Sequence, residues 1–111
     1  MNYQKLFLVG NATGAARTKE SEGKTAYSDF MVAVNRNREE ADFFPVRAFG
    51  KLTESAARIE KGSLVLVEGR VEIDRFESKD GETRTSVRVL ADGLRLLQRP
   101  GGSEARVPEA E

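Results

Sequence analysis

The chain has 111 residues, with Lys plus Arg and Asp plus Glu at 18 each, so its formal net charge is zero. It contains neither cysteine nor histidine, which excludes a disulfide framework, Cys/His zinc sites and any catalytic triad built on histidine. The length suits one domain with its own core, and the charge balance excludes a generally basic surface while leaving room for a local basic groove.

The first apolar run, Leu6 to Val9, predicts a short strand ending at Gly10-Asn11. It is too short for a signal-peptide core or a membrane span, so the cytoplasm is the expected location and no membrane partner is expected. The following NATGAARTKESEGKTA, rich in Gly, Thr, Ser and charge, reads as a long, mobile hairpin loop. Arg17, Lys19 and Lys24 in it have the charge to track a phosphate backbone, or simply to solvate the loop. A second strand runs from about Tyr27 to Asn35, where Phe30, Val32 and Val34 alternate with Met31 and Ala33. NRNREE, Asn35 to Glu40, is a polar turn, and the first three strands form an antiparallel meander.

The third strand lies in ADFFPVRAFGKL, Ala41 to Leu52. If extended, it presents Phe43, Arg47 and Phe49 on one face and Phe44, Val46 and Ala48 on the other. The second face suits a core. The first carries two rings with a guanidinium between them, followed by Lys51. Pro45 cannot donate to a ladder, and a bulge there would exchange Phe43 for Phe44 on the exposed face.

After Gly50 the period changes. Leu52, Ala56 and Ile59 form one stripe of a short helix that plugs an end of the sheet, with Gly62 as its left-handed cap. The fourth strand, Leu64 to about Phe76, puts Val65, Val67, Val71 and Ile73 on one face with Gly69, where a strand can bend. Arg70 and Phe76 lie opposite with Glu68, Glu72 and Asp74. Asp80-Gly81 marks a hairpin turn. The fifth strand, Thr83 to Leu90, turns Val87 and Val89 inward and Arg84, Ser86 and Arg88 outward. Leu94 to Leu97 adds a last apolar contact. These elements predict an all-β chain, a domain over residues 1–98 and a disordered tail over 99–111. Three strands, a short helix and two more strands match the five-stranded Greek-key oligonucleotide/oligosaccharide-binding barrel, the OB-fold, with the helix between strands 3 and 4. Other small barrels and α+β folds share that count.

Rings interleaved with cations suit single-stranded nucleic acid, because bases stack on rings and phosphates pair with the charges. The same phenylalanine face also suits a protein interface, as in a primosome accessory module. A magnesium nuclease using Asp42, Glu68, Glu72 or Asp74 is a third class, but no nucleophile or general base assembles around those acids.

KLFLVGN (Lys5–Asn11), ADFFPVRAFGKL, KGSLVLVEGRVEIDRF (Lys61–Phe76) and TRTSVRVLADGLRLL (Thr83–Leu97) together resemble bacterial-type single-stranded DNA-binding proteins. The resemblance spans Tyr3 to Leu97. It implies an OB-fold homo-oligomer, a tetramer first and a dimer second, that wraps single-stranded DNA in replication, recombination or repair. It implies no catalysis, metal or cofactor, and replication or repair proteins as partners. Its stacking aromatics fall on Phe43, Phe49 and Phe76, and its backbone contacts on Lys5, Lys51, Lys61, Arg75 and Arg84. Arg47 and Arg70 join the expected face from strand alternation. The chain departs from the family by having no tryptophan. Phe43 and Phe76 stand where the family more often has one, and another near the loop after strand two is replaced at Arg38 or its neighbours. Glu72 and Asp74 stand where positive charge is common, and the tail lacks the acidic, phenylalanine-containing tip that recruits repair and replication enzymes.

Overall fold

A computed structural model describes residues 1–20 and 22–100. Its elements are β1 (Leu6–Ala12), β2 (Arg17–Lys19), β3 (Tyr27–Asn35), β4 (Ala41–Phe49), α1 (Leu52–Ala56), β5 (Leu64–Glu77) and β6 (Thr83–Gln98). The strands hydrogen-bond in the order β1-β5-β6-β4-β3-β2, and β1 also pairs with β3. That last pairing closes β1, β5, β6, β4 and β3 into a five-stranded barrel and leaves β2 as a short annex on β3. Only β4 and β6 run parallel, over Val46–Ala48 against Val89–Ala91. This is the predicted OB-fold, with its helix between the third and fourth barrel strands.

Alternation explains the interior. Leu8, Phe30, Val32, Val46, Ala48, Val65, Val67 and Val89 are all buried and form one core. Valine dominates because β-branched side chains fit a closed, pleated surface. The β3–β4 register runs unbroken through Met31↔Pro45, so there is no bulge at the proline. The pairing with β6 begins only at Val46, so Pro45 lies beyond the stretch where β4 must bond on both sides.

Three expectations are corrected. The helix spans only Leu52–Ala56, and Ile59 is buried beyond it. Gly62 does adopt the left-handed region (φ 93°), but in the turn into β5 rather than as a helix cap. Its N–H donates to the Ala12 carbonyl at 2.8 Å, and its own carbonyl accepts from Asn11 Nδ2 at 3.1 Å. Secondly, the predicted loop after β1 contains β2, held to β3 partly by a 2.6 Å hydrogen bond between the Thr18 and Ser28 hydroxyls. Thirdly, the last strand does not end at Leu90 but continues to Gln98 through a bulge. Between Glu68 and Gly69 the β6 partner jumps from Gly93 to Ala91, leaving Asp92 unmatched. The extra residue reverses parity, so Val89 and Ala91 point inward before it and Leu94 and Leu96 pack on the core after it. The expected tail from Arg99 lies outside the described residues apart from Arg99 and Pro100.

Beyond Gly69 the β5–β6 hairpin overshoots the barrel as an arm. β1 accompanies β5 only as far as Leu6↔Gly69. The Gln4 amide then substitutes for a strand residue, accepting from the Val71 N–H at 2.9 Å and donating to its carbonyl at 3.1 Å. Ile73 and Val87, expected inward, are 59% and 46% exposed because the arm has left the core behind. The arm ends in the predicted Asp80-Gly81 turn, with Gly81 at φ 84°. The Asp80 carboxyl lies below its ordinary range because it accepts hydrogen bonds from the Ser78 hydroxyl, the Glu82 N–H and Arg84.

Gly69 is required by close approach rather than by dihedral angle, since an added Cβ would overlap the Leu90 carbonyl oxygen and sit 3.1 Å from Ala91 Cα. Gly69→Ala is predicted to destabilise the fold by about 1–3 kcal/mol, the usual cost of forcing volume into a packed site. Urea unfolding of both proteins checks this.

Candidate nucleic-acid interface

The outer faces of β3 and β4 form a row of directly opposed pairs: Ala33↔Phe43, Met31↔Pro45, Asp29↔Arg47 and Tyr27↔Phe49. Phe43 and Phe49 are 60% and 41% exposed, as alternation predicts. A strand rise of about 3.3 Å per residue sets them roughly 20 Å apart, so they would serve different bases. The Tyr27 and Phe49 rings lie 6.1 Å apart with planes inclined at 52°. Arg47 Cζ sits 4.0 Å over the Tyr27 ring centre. The result is a compact cluster of two rings and a guanidinium.

Arg47 is not a free cation. Its Nε and Nη2 donate to the two Asp29 carboxylate oxygens at 2.7 and 2.9 Å. Hydrogen bonding to Asp29 outweighs partial burial and holds the guanidinium still more firmly protonated than usual. On the other side of Asp29 lies its β2 partner Arg17, and Lys19 is likewise opposite Tyr27. Asp29 thus has an arginine on the strand to either side, one of them bonded to it, and the row keeps a net positive charge. Arg17, Asp29, Met31, Pro45, Arg47 and Arg88 line a cleft of about 480 Å³ between this sheet and the loop that follows β1.

The arm adds a second row. Phe76↔Arg84, Asp74↔Ser86, Glu72↔Arg88 and Arg70↔Leu90 are opposed on one of its faces. That face continues the ring face of β4, because Arg88 shares the cleft with Arg47 and Glu72 acts electrostatically on Arg47. Phe76 is 49% exposed. Arg84 lies 3.3 Å from Asp80 and 3.9 Å from Glu82.

Of the residues expected from sequence, the fold thus brings Phe43, Arg47, Phe49, Arg70, Phe76 and Arg84 onto one continuous surface. Lys51 is exposed just past its edge, at the start of α1. The others lie elsewhere. Lys5 is bound to Asp92 at 3.1 Å and approaches Glu68 at 3.6 Å, on the outer side of β1; its hydrogen bond to Asp92 raises its pKa. Arg75 is exposed on the opposite face of the arm, beside Ile73 and across from Thr85. Lys61 is exposed in the turn that packs on Ala12, away from the β3–β4 row.

Sequence reasoning gave no role to Tyr27, Asp29 or Arg88. The signal for the first two was the turn itself. A hairpin centred on Arg38 sets position 27 opposite 49 and 29 opposite 47, once its register is known.

The acids considered for a nuclease are dispersed, each near a base. Asp42 pairs with Arg36 at 3.0 Å, Glu68 with Lys5, and Glu72 and Asp74 with Arg88. Among the described residues no cluster of acids is arranged to hold a metal, and no helix is long and apolar enough to cross a membrane.

A family model described as the single-strand binding protein family matches residues 3–97. The single-stranded DNA-binding protein of Aquifex aeolicus is 38% identical over 116 aligned residues, covering 96% of this chain and 78% of that protein. That of Clostridium tetani is 36% identical over 101 residues, covering 85% of this chain and 70% of the relative. Among solved structures, the mitochondrial single-stranded DNA binding protein of S. cerevisiae aligns with a TM-score of 0.75. At 22% identity, covering 89% of this chain and 99% of the other, it speaks to the fold alone.

The bidentate pair yields a prediction. A double-mutant cycle of Asp29→Ala and Arg47→Ala, read by urea unfolding, should give a coupling of about 1 kcal/mol, the upper range for a partly exposed pair.

Proposed function

The chain belongs to the single-strand binding protein family, and on that premise we propose that it binds single-stranded DNA without sequence preference, through the ring face of β4 and the arm. The carrying observation is the exposure of Phe43, Phe49 and Phe76 on one surface interleaved with Arg47, Arg70 and Arg84. A base is flat and apolar on both faces, so an exposed ring held on a rigid strand stacks against any base, at about 1–3 kcal/mol each. Paired bases in a duplex are already stacked and cannot present those faces. The family is one of binding proteins, not enzymes.

The division of labour follows from the pairing. Arg47 steers and orients Tyr27 and Asp29 more than it offers open charge, so phosphates are met chiefly by Arg17, Arg70 and Lys51. Each neutralised phosphate should contribute about −0.7 to the slope of log affinity against log salt. Lys5, Lys61 and Arg75, which the resemblance also implies, lie off this surface and would be reached only by a strand wrapped around the barrel or across several copies.

Assembly of several copies is supported by β1. Phe7 and Val9 are exposed on its outer side, and among the described residues β3 pairs with β1 only at Asn11 and Ala12, so the edge from Leu6 to Val9 is open. We read this as the surface of a homo-oligomer, a tetramer before a dimer, acting with replication and repair proteins in the cytoplasm.

Titrating labelled oligo-dT, with a duplex of equal length as control, tests this reading. The wild type should prefer the single strand, with affinity falling steadily as salt rises. Phe43→Ala, Phe49→Ala and Phe76→Ala should each weaken binding by about 1–3 kcal/mol without altering the molar mass in light scattering. Equal binding of both ligands, or affinities unmoved by the three substitutions, would make the phenylalanine face a protein interface instead.

A further inference from the structure

Two guanidiniums of the ring face, Arg47 and Arg88, are neutralised in different ways. Arg47 is gripped by Asp29 through two hydrogen bonds of 2.7 and 2.9 Å. Arg88 lies 3.9 Å from Glu72 and 3.7 Å from Asp74, beyond hydrogen-bond length to both. Glu72 is its direct partner across the arm, and Asp74 comes two pairs further out, the next on the same face. Arg88 is therefore neutralised without being fastened, and it faces the same cleft as Arg17.

We propose that Glu72 and Asp74 are specificity-determining residues of this face: they are resident counter-charges of Arg88 that a backbone phosphate has to displace. The proposal rests on the single-strand reading above. A phosphate arriving at the cleft gains the attraction of Arg88 and Arg17 but meets two carboxylates on the same face, a few ångströms from the guanidinium. The Coulomb gain is largely cancelled by that repulsion. A duplex packs its phosphates more densely, one charge per about 1.7 Å of axis, so it meets that repulsion more strongly than a single strand does. A single strand also stacks its bases on Phe43, Phe49 and Phe76. The acids thus lower affinity for both ligands but discriminate against the duplex. They also flatten the salt dependence, because a carboxylate displaced from Arg88 takes up a cation and offsets the one released from the strand.

The test compares wild type, Glu72→Gln, the double variant Glu72→Gln/Asp74→Asn and the triple variant that adds Arg88→Gln. Each is titrated with labelled oligo-dT and with duplex over a range of salt. The double variant should bind the duplex roughly tenfold more tightly and the single strand roughly threefold more tightly at low salt. Its single-strand salt slope should steepen by about 0.7, one additional phosphate. Glu72→Gln alone should move in the same direction by less, and adding Arg88→Gln should give back a large part of the gain. Double-variant affinities and slopes equal to or weaker than wild type would overturn the proposal, as would a gain left undiminished by Arg88→Gln. Failure of the parent reading is separate, because it appears in the wild type alone as a lack of preference for single strands, and it would take this inference with it.

Discussion

The proposed binding surface depends on the antiparallel register between β3 and β4. Across its nine residue pairs, the same alternation that buries Phe30, Val32, Val46 and Ala48 turns Tyr27, Phe43, Arg47 and Phe49 outward. Side-chain period in a strand is two, so slipping one strand by a single residue would move its apolar set into water and its functional set into the barrel. The two sets cannot be changed independently. Core burial therefore specifies the position of the rings, and the surface needs no separate device to hold it. Closure of the barrel through β1 and β3 makes that register harder to escape, because a slip would have to be accommodated around the whole ring of strands.

Charge is organised on the same framework. A chain with equal numbers of acids and bases can still present a positive row, as Arg17 and Arg47 do on either side of Asp29. Two further cations near the rings have anionic neighbours, Arg84 beside Asp80 and Arg88 beside Glu72 and Asp74. Such a surface attracts nucleic acid weakly at long range, and contact with the rings then decides what stays bound. On the proposed reading, three rings smaller than tryptophan supply that contact, so their exposure and spacing weigh more heavily than the net field.

What was legible in the sequence follows the range of the interactions involved. Alternation in Ala41–Phe49 is local, and it gave the correct outward set although Pro45 left the parity open. The five barrel strands and the Asp80-Gly81 turn were legible for the same reason. Gly69 was recognised as a place where the strand bends, but the unmatched Asp92 across from it was not. Asp92-Gly93 has the look of a strand end, and only the pairing with Glu68 and Gly69 shows it to be a bulge. Ile73 and Val87 were expected in the core because alternation reports which face a residue takes, not where the barrel stops. The ion pairs of Arg47 and Lys5 were hidden for a related reason. Each joins segments far apart in the chain, and a basic residue on a predicted outer face carries no mark of the acid beside it.

The central claim is that bases rest on the β4 and arm phenylalanines. Photo-crosslinking of an oligo-dT containing 5-iododeoxyuridine, followed by peptide mapping, addresses it without altering the protein. The account predicts crosslinks at Phe43, Phe49 and Phe76, with Tyr27 next, all suppressed by unlabelled single strands but not by duplex. Crosslinks concentrated at Phe7 on the outer side of β1, with none on β4 or the arm, would contradict it.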